Sequence, residues 1–189
     1  MAWFPRGLSL PFSTISFILF CSMAVSVSTA DLFEEFKHPS EKKTHLHLYL
    51  HDIVAGGNFT TVRAVTANAS LPPSFGDLIV LDDPLTAGPS PTSKLLGRAQ
   101  GFCAFASQQA RHPALALAMN LVFAAGKYKG STLTILGRNP PLQTTREMPV
   151  VGGSGRFRMA RGYAIAKTFS FNTTSGDSVV EYNLYVLHY

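Results

Sequence analysis

From Thr44 onward the chain alternates apolar and polar positions in short runs, the period of half-buried strands. The runs predict strands over Thr44–Ile53, Thr60–Asn68, Phe75–Asp82, Gly97–Ser107, Ala114–Ala125, Ser131–Gly137, Gly162–Phe171 and Val179–His188. Between them lie clusters of turn residues: "AGGN", "LPPSFG", "DDPLTAGPSPTS", "SQQARHP", "AGKYKG", "GRNPP" and "NTTSGD". The "GKYKG" and "TTSGD" links are short enough for antiparallel hairpins. "ALALAMNLVFAA" has a helical composition, but it sits at strand spacing between turn signals and reads as a strand. "VGGSGRF" reads as a turn. Eight strands with hairpin links and hardly any helix predict an all-β fold, a sandwich or a barrel. An eight-stranded barrel has room inside for side chains or one small ligand.

The first 30 residues break this pattern. One basic residue (Arg6) precedes an apolar run from Ile15 to Val27, and Ser28 and Ala30 supply small residues at a cleavage position. This is the form of a secretory signal peptide, and the run is too short for a membrane span. Residues 31–43 are charged and aperiodic and read as a tail, leaving residues 44–189 as a single domain. The 189-residue chain carries a net charge of +5 without a basic run. That suits acidic wall or matrix polymers better than nucleic acid.

Export bears on two further features. Of the two cysteines, Cys21 lies in the signal peptide, so Cys103 has no partner for an internal disulfide and reads as a small buried hydrophobe. Three sequons, at Asn58, Asn68 and Asn172, are candidate glycosylation sites.

The run "THLHLYLHDI" holds the candidate chemistry. His45, His47 and His51 share one face of the strand, but His45 and His51 are about 20 Å apart at strand rise and cannot hold one ion. No metal or cofactor is expected, and the histidines read as polar cover on an outward or intersubunit face. The opposite face is Leu46, Leu48, Leu50 and Asp52. Asp52 is either a strand-end residue capping a turn or a carboxylate at the end of an apolar stripe, where burial would raise its pKa.

Six blocks of sequence carry a resemblance. They are "YLHDI" (Tyr49–Ile53), "DDPLTAGPSPTSKLLGRAQGF" (Asp82–Phe102), "AMNLVF" (Ala118–Phe123), "GKYKGSTLTILGRNP" (Gly126–Pro140), "REMPVVGGSGRFRMARGYA" (Arg146–Ala164) and "VVEYNLYVLHY" (Val179–Tyr189). In this order they resemble plant dirigent proteins over residues 44–189. The resemblance implies an eight-stranded antiparallel β-barrel with a small-molecule pocket, a homotrimer, and export to the apoplast and cell wall. It implies a template that fixes how phenoxy radicals join, for example two coniferyl alcohol radicals forming an optically active lignan. A separate laccase or peroxidase supplies the radicals. Asp52 and Arg146 match pocket residues of the family, and the resemblance reverses the ranking of Asp52 from turn cap to pocket acid. Asn139 stands where lignan-forming members have a second aspartate, and asparagine is no proton donor of that kind. Cys103 replaces an aromatic residue. Leu50, Arg98, Gln100, Phe102 and Cys103 are candidate pocket-lining residues. The "LGRNP" form also resembles pterocarpan synthases, which remove water through a quinone methide and close a ring. Radical template, dehydratase with Asp52 as acid, and wall scaffold for lignin deposition therefore stand as alternatives.

Overall fold

The computed structural model describes residues 40–68 and 73–189. The expected signal peptide, most of the charged tail and Ser70 of the second sequon lie outside these residues. Nine strands follow in order: β1 (Lys42–Asp52), β2 (Thr61–Val65), β3 (Leu78–Thr86), β4 (Leu95–Phe105), β5 (Leu115–Phe123), β6 (Thr132–Asn139), β7 (Arg146–Ser154), β8 (Arg161–Phe171) and β9 (Ser178–His188). Single 3₁₀ turns at Gly126–Tyr128 and Gly155–Phe157 follow β5 and β7. Every strand pairing among the described residues is antiparallel, in the order β1-β9-β8-β7-β6-β5-β4-β3, and β3 returns to β1. The result is the expected all-β, eight-stranded antiparallel barrel.

Two details of its make-up differ from the sequence reading. Arg146–Ser154 is a full barrel strand, not a loop followed by a turn. Pro149, Gly152 and Gly153 hide it, since each weakens a strand signal. Pro149 is accommodated because β7 meets β6 only from Val150 onward, leaving its N–H side free of ladder demands. Gly137 on β6 gives its ring room, for a Cβ there would lie 2.9 Å from Pro149 Cδ. The run called Thr60–Asn68 is shorter and is not one of the eight staves. β2 pairs with Leu78 to Leu81 of β3, whereas β1 meets β3 only at Leu85 and Thr86. β1 and β3 therefore splay apart at one end, and β2 covers the seam. Pro84 falls on the stretch of that edge paired to neither neighbour, where a missing N–H costs no ladder bond.

Alternation sorts each strand into an inner and an outer face. Leu48, Leu50, Leu85, Leu117, Met119, Leu121, Leu133, Ile135, Met148, Val150, Leu184 and Val186 fill the inside and are almost fully buried. Each large aliphatic side chain removed from water in this way contributes roughly 1.5–3 kcal/mol. One end of the barrel is plugged. Phe157 packs against Phe123 and Tyr128 with ring centroids 5.6 and 4.5 Å apart, and against His188 at 5.0 Å. Thr44 Oγ1 ties this plug to the wall, 2.9 Å from His188 Nε2 and 3.2 Å from Tyr128 Oη.

The histidines of β1 face outward, each with its own partner. His45 bonds Asn183 at 2.9 Å and stacks on Tyr185, and His47 bonds Glu181 at 2.7 Å. His51 shares their face but is buried, bonded to Thr86 Oγ1 at 2.7 Å, and burial lowers its pKa. Among the described residues no group of three or more metal-ligating side chains converges.

Candidate functional site

The polar residues of the barrel interior gather at the end opposite the aromatic plug. The stripe Leu48, Leu50, Asp52 of β1 carries its carboxylate to the seam beside β2. On β3 the inward positions are Ile79, Leu81, Asp83 and Leu85, so a second carboxylate enters from the facing side of the seam. Asp83 is 1% exposed. Two hydroxyls leading into β2 tie the pair together. Thr60 Oγ1 donates to Asp83 at 2.6 Å, and Thr61 Oγ1 donates to Asp52 at 2.6 Å while lying 3.4 Å from Asp83.

Burial dominates the electrostatics here. It raises the pKa of Asp52, against the Thr61 bond and with a smaller push from Asp177. It raises Asp83 to about 7, helped by the neighbouring charge of Asp52 and opposed by Thr60. Two carboxyls so close resist losing both protons, so the pair is poised to hold one near neutral pH.

Arg146 opens β7 and points into the same end. It is 4% exposed. Its Nη1 donates to Thr168 Oγ1 at 2.9 Å and to the Pro141 carbonyl at 3.1 Å, while its buried Nε has no acceptor. Burial lowers its pKa. No carboxylate pairs with it among the described residues. Asn139 ends β6 facing inward, and its buried Oδ1 likewise lacks a donor. Tyr182 of β9 stands among these groups. Burial raises its pKa, Arg146 opposes the shift, and Asp83, Asp52 and Cys103 add to it, so its hydroxyl lies within electrostatic reach of all four.

The inward positions around this cluster are small residues: Gly97, Ala99 and Gly101 on β4, Gly137 on β6, Ala164 and Ala166 on β8. A Cβ at Gly101 would lie 2.1 Å from the Ala118 carbonyl oxygen, so the tight β4–β5 wall requires glycine there. Cys103 is also inward and buried, and burial with the two nearby carboxylates pushes its thiol up to about 11. Leu50 lies on the same inner face.

Arg98, Gln100 and Phe102 do not line the interior. They have the opposite parity to Ala99, Gly101 and Cys103 and sit on the outer face. Arg98 bonds Asp82 there at 2.5 Å, and Phe102 is 48% exposed. Phe102 and Cys103, adjacent on one strand, could not both face inward. Asp83 and Tyr182 were missed. The pattern "LIVLDDPL" alternates correctly through Asp83, but Pro84 made "DDP" look like a turn. Tyr182 occupies an inward place in "EYNLYV" and looks like core. A separate cleft of about 750 Å³ beside the β4–β5 hairpin is lined by Gln109, His112, Leu115, Leu136 and Arg138 among others, and by none of the cluster residues. The sequon asparagines Asn58, Asn68 and Asn172 are all exposed.

A family profile described as Dirigent-like protein matches residues 43–187. Dirigent protein 21 of Arabidopsis thaliana is 52% identical over 154 residues, which are 80% of each chain. Pterocarpan synthase 1 of Glycyrrhiza echinata is 43% identical over 188 residues, 97% of this chain and 95% of its own. A solved structure of a pterocarpan synthase dirigent protein superposes with a TM-score of 0.75 at 44% identity, covering 82% of this chain and 89% of that one.

Proposed function

Since the chain belongs to the dirigent family, we propose that its barrel interior binds a phenolic substrate and closes a ring on it by acid-assisted loss of water. The observation that carries this reading is the Asp52–Asp83 pair, two raised carboxyls bridged by Thr61 inside an apolar wall. An acid serves best when its pKa lies near the working pH, and Asp83 at about 7 meets that condition.

In this reading Asp83 gives its proton to a benzylic hydroxyl, which leaves as water. The phenolic proton passes to the ionised partner, Asp52, as the ring becomes a quinone methide. A second phenolic oxygen of the substrate then adds to the exocyclic carbon and gives its proton to Asp83, while Asp52 returns its proton to the quinone-methide oxygen, so the pair regains its starting state. The sum is loss of one water, with no oxidant consumed. Holding one conformer against the wall gives the product a single hand, for about 1.4 kcal/mol between two faces already means a tenfold excess. The similarity to pterocarpan synthases along nearly the whole chain supports this choice.

The apolar inner wall favours a second reading, in which the same space orients two phenoxy radicals supplied by a laccase or peroxidase. The chain then acts as a template without a proton-transfer step of its own. In either case export through residues 1–30, to the apoplast, and glycans at Asn58, Asn68 and Asn172 fit the reading. Homo-oligomeric assembly fits the outer-face apolar residues Phe102, Leu136, Val151 and Phe169, each about half exposed.

Chiral chromatography of products from a panel of phenols, with and without laccase, separates the two. The first reading expects one enantiomer from a phenolic benzylic alcohol with no oxidant present. Racemic product there, together with an enantiomeric excess only when laccase is added to coniferyl alcohol, would give preference to the template.

A further inference from the structure

Two turns at the plugged end of the barrel follow one pattern. "GKYKGS" (126–131) joins β5 to β6, and "GRFRMA" (155–160) joins β7 to β8. Each starts at a glycine with positive φ, Gly126 at 69° and Gly155 at 61°. Each closes by a bond to that glycine's carbonyl, from the N–H of Lys129 and of Arg158, both at 3.2 Å. The fifth place is left-handed again, Gly130 at 81° and Met159 at 58°. The turns lie side by side, since Thr132 pairs with Ser154 and the Arg156 N–H donates to Ser131 Oγ at 3.1 Å.

In both turns the aromatic residue goes in and the cations on either side of it go out. Tyr128 and Phe157 meet at 4.5 Å in the plug. Lys127, Lys129, Arg156 and Arg158 are all exposed. Burying the two rings therefore gathers four like charges on the outer side of the plug. The strand ends around them add Lys42, Lys43 and Lys94, also exposed. Among the described residues the acidic side chain at this end is Glu41, and Arg161 holds it at 2.5 Å while engaging Tyr189 as well. No carboxylate pairs with any of the four turn cations among the described residues. Asp52, Asp77 and Asp177 lie at the opposite end, beside the ends of β1 and β9 and the start of β3. Clustered like charges repel one another, so the plugged end is stabilised by an anion laid across it.

We propose that this end is a binding surface for an acidic polysaccharide, a polyuronate whose carboxylates lie across Lys127, Lys129, Arg156 and Arg158. The four cations stand exposed on turns rather than sunk in a cleft, which suits a polymer that meets several of them at once better than a small anion. Nucleic acid is disfavoured, because the two rings that could stack on bases are turned inward. The export expected of residues 1–30 brings the chain among wall polymers of this kind. The carboxyl pair lies at the other end of the barrel, so a molecule held in this way presents its ligand site away from the polymer.

The test uses polygalacturonate as probe and the full mature chain, with binding read by interferometry at rising sodium chloride. The wild type should bind, lose affinity steeply as salt rises, and not bind the fully methyl-esterified polymer, which carries no charge. Lys129→Gln/Arg156→Gln/Arg158→Gln should weaken binding roughly tenfold or more and flatten the salt dependence. Arg111→Gln/Arg138→Gln/Lys167→Gln removes the same charge from exposed positions elsewhere and should stay within about twofold of the wild type. Thermal melting should show both variants folded. Equal losses in the two variants would reduce the effect to net charge and overturn the proposal. Wild-type affinity in the first variant, equal binding of the esterified polymer, or tighter binding of a poly(dT) oligonucleotide than of polygalacturonate would overturn it as well.

Discussion

Thr61 joins Asp52 to Asp83: its hydroxyl donates to the first at 2.6 Å and lies 3.4 Å from the second. A single side chain thus links two carboxyls that enter the barrel from different strands, at the seam where β1 and β3 part. Thr61→Val keeps the shape and removes the hydroxyl. Asp52 loses a bond that lowers its pKa, so its pKa should rise further. The variant should lose about 1.5–3 kcal/mol of stability at pH 8, where the pair is charged, and less at pH 5. Chemical denaturation at the two pH values measures both.

The acid pair also fixes the direction of the stability profile. The folded pKa of Asp83 is about 7, above its unfolded value of 3.8. The folded state therefore binds the proton more tightly, and the stabilisation is full below the unfolded pKa and lost as pH rises through about 7. Asp52 acts in the same direction. Asp82 and Asp177 have lowered pKa values and act oppositely, but their contribution is lost only as pH falls below the usual carboxylate range. His51 also acts oppositely, since burial lowers its pKa from 6.5 within the same window, so comparison with Asp83→Asn isolates the carboxyl. From pH 5 to pH 8 the wild-type melting temperature should fall relative to that of Asp83→Asn, and the variant should melt above the wild type at pH 8. A difference between the two that stays constant over this range would contradict the raised pair.

Cys103 offers a probe of the interior. Its thiol is buried and raised to about 11, so at pH 8 only about one part in a thousand is thiolate. Iodoacetamide should alkylate it at least a hundredfold more slowly in the folded chain than in urea. Mass spectrometry of timed reactions reads the ratio. Fast labelling of the native protein would mean that the thiol faces water.

How much of this was legible in the sequence depended on direction as well as period. Alternation on β1 separated His45 and His47 from Leu48, Leu50 and Asp52, because one set is polar and the other is not. On β4 both sets are mixed, Arg98, Gln100 and Phe102 against Ala99, Gly101 and Cys103. Period alone assigns two faces there, and only the closed barrel says which is inside. β7 was hidden by Pro149 and a glycine pair, residues that cost a strand stability unless an edge or bulge absorbs them. Asp83 was hidden by the proline after it. Its role depends on β2 covering a seam between β1 and β3, a tertiary feature without any local signature. Arg146 and Tyr182 come together through register across three strands, Arg146 opposite Ala166 and Ala166 opposite Tyr182, which no single segment encodes.

Arg146 sets a further expectation. Arg146→Met keeps length and loses the bonds to Thr168 and Pro141 along with a buried cation that has no carboxylate partner among the described residues. Removing an uncompensated buried charge offsets the lost bonds, so stability should change by less than about 1.5 kcal/mol. Substrate turnover should fall at least tenfold, as expected of an interaction used in the transition state. A large loss of stability with unchanged turnover would make Arg146 a structural residue only.

The central claim is that the seam carboxyls move the protons of an oxidant-free dehydration. The most direct measurement is kcat/KM for a phenolic benzylic alcohol from pH 5 to pH 9 without any oxidant, in the wild type and in Asp83→Asn. Asp83 acting as the acid predicts a wild-type rate that declines through pH about 7 and a variant at least a hundredfold slower. A flat wild-type profile, with Asp83→Asn turning over at the same rate, would contradict it.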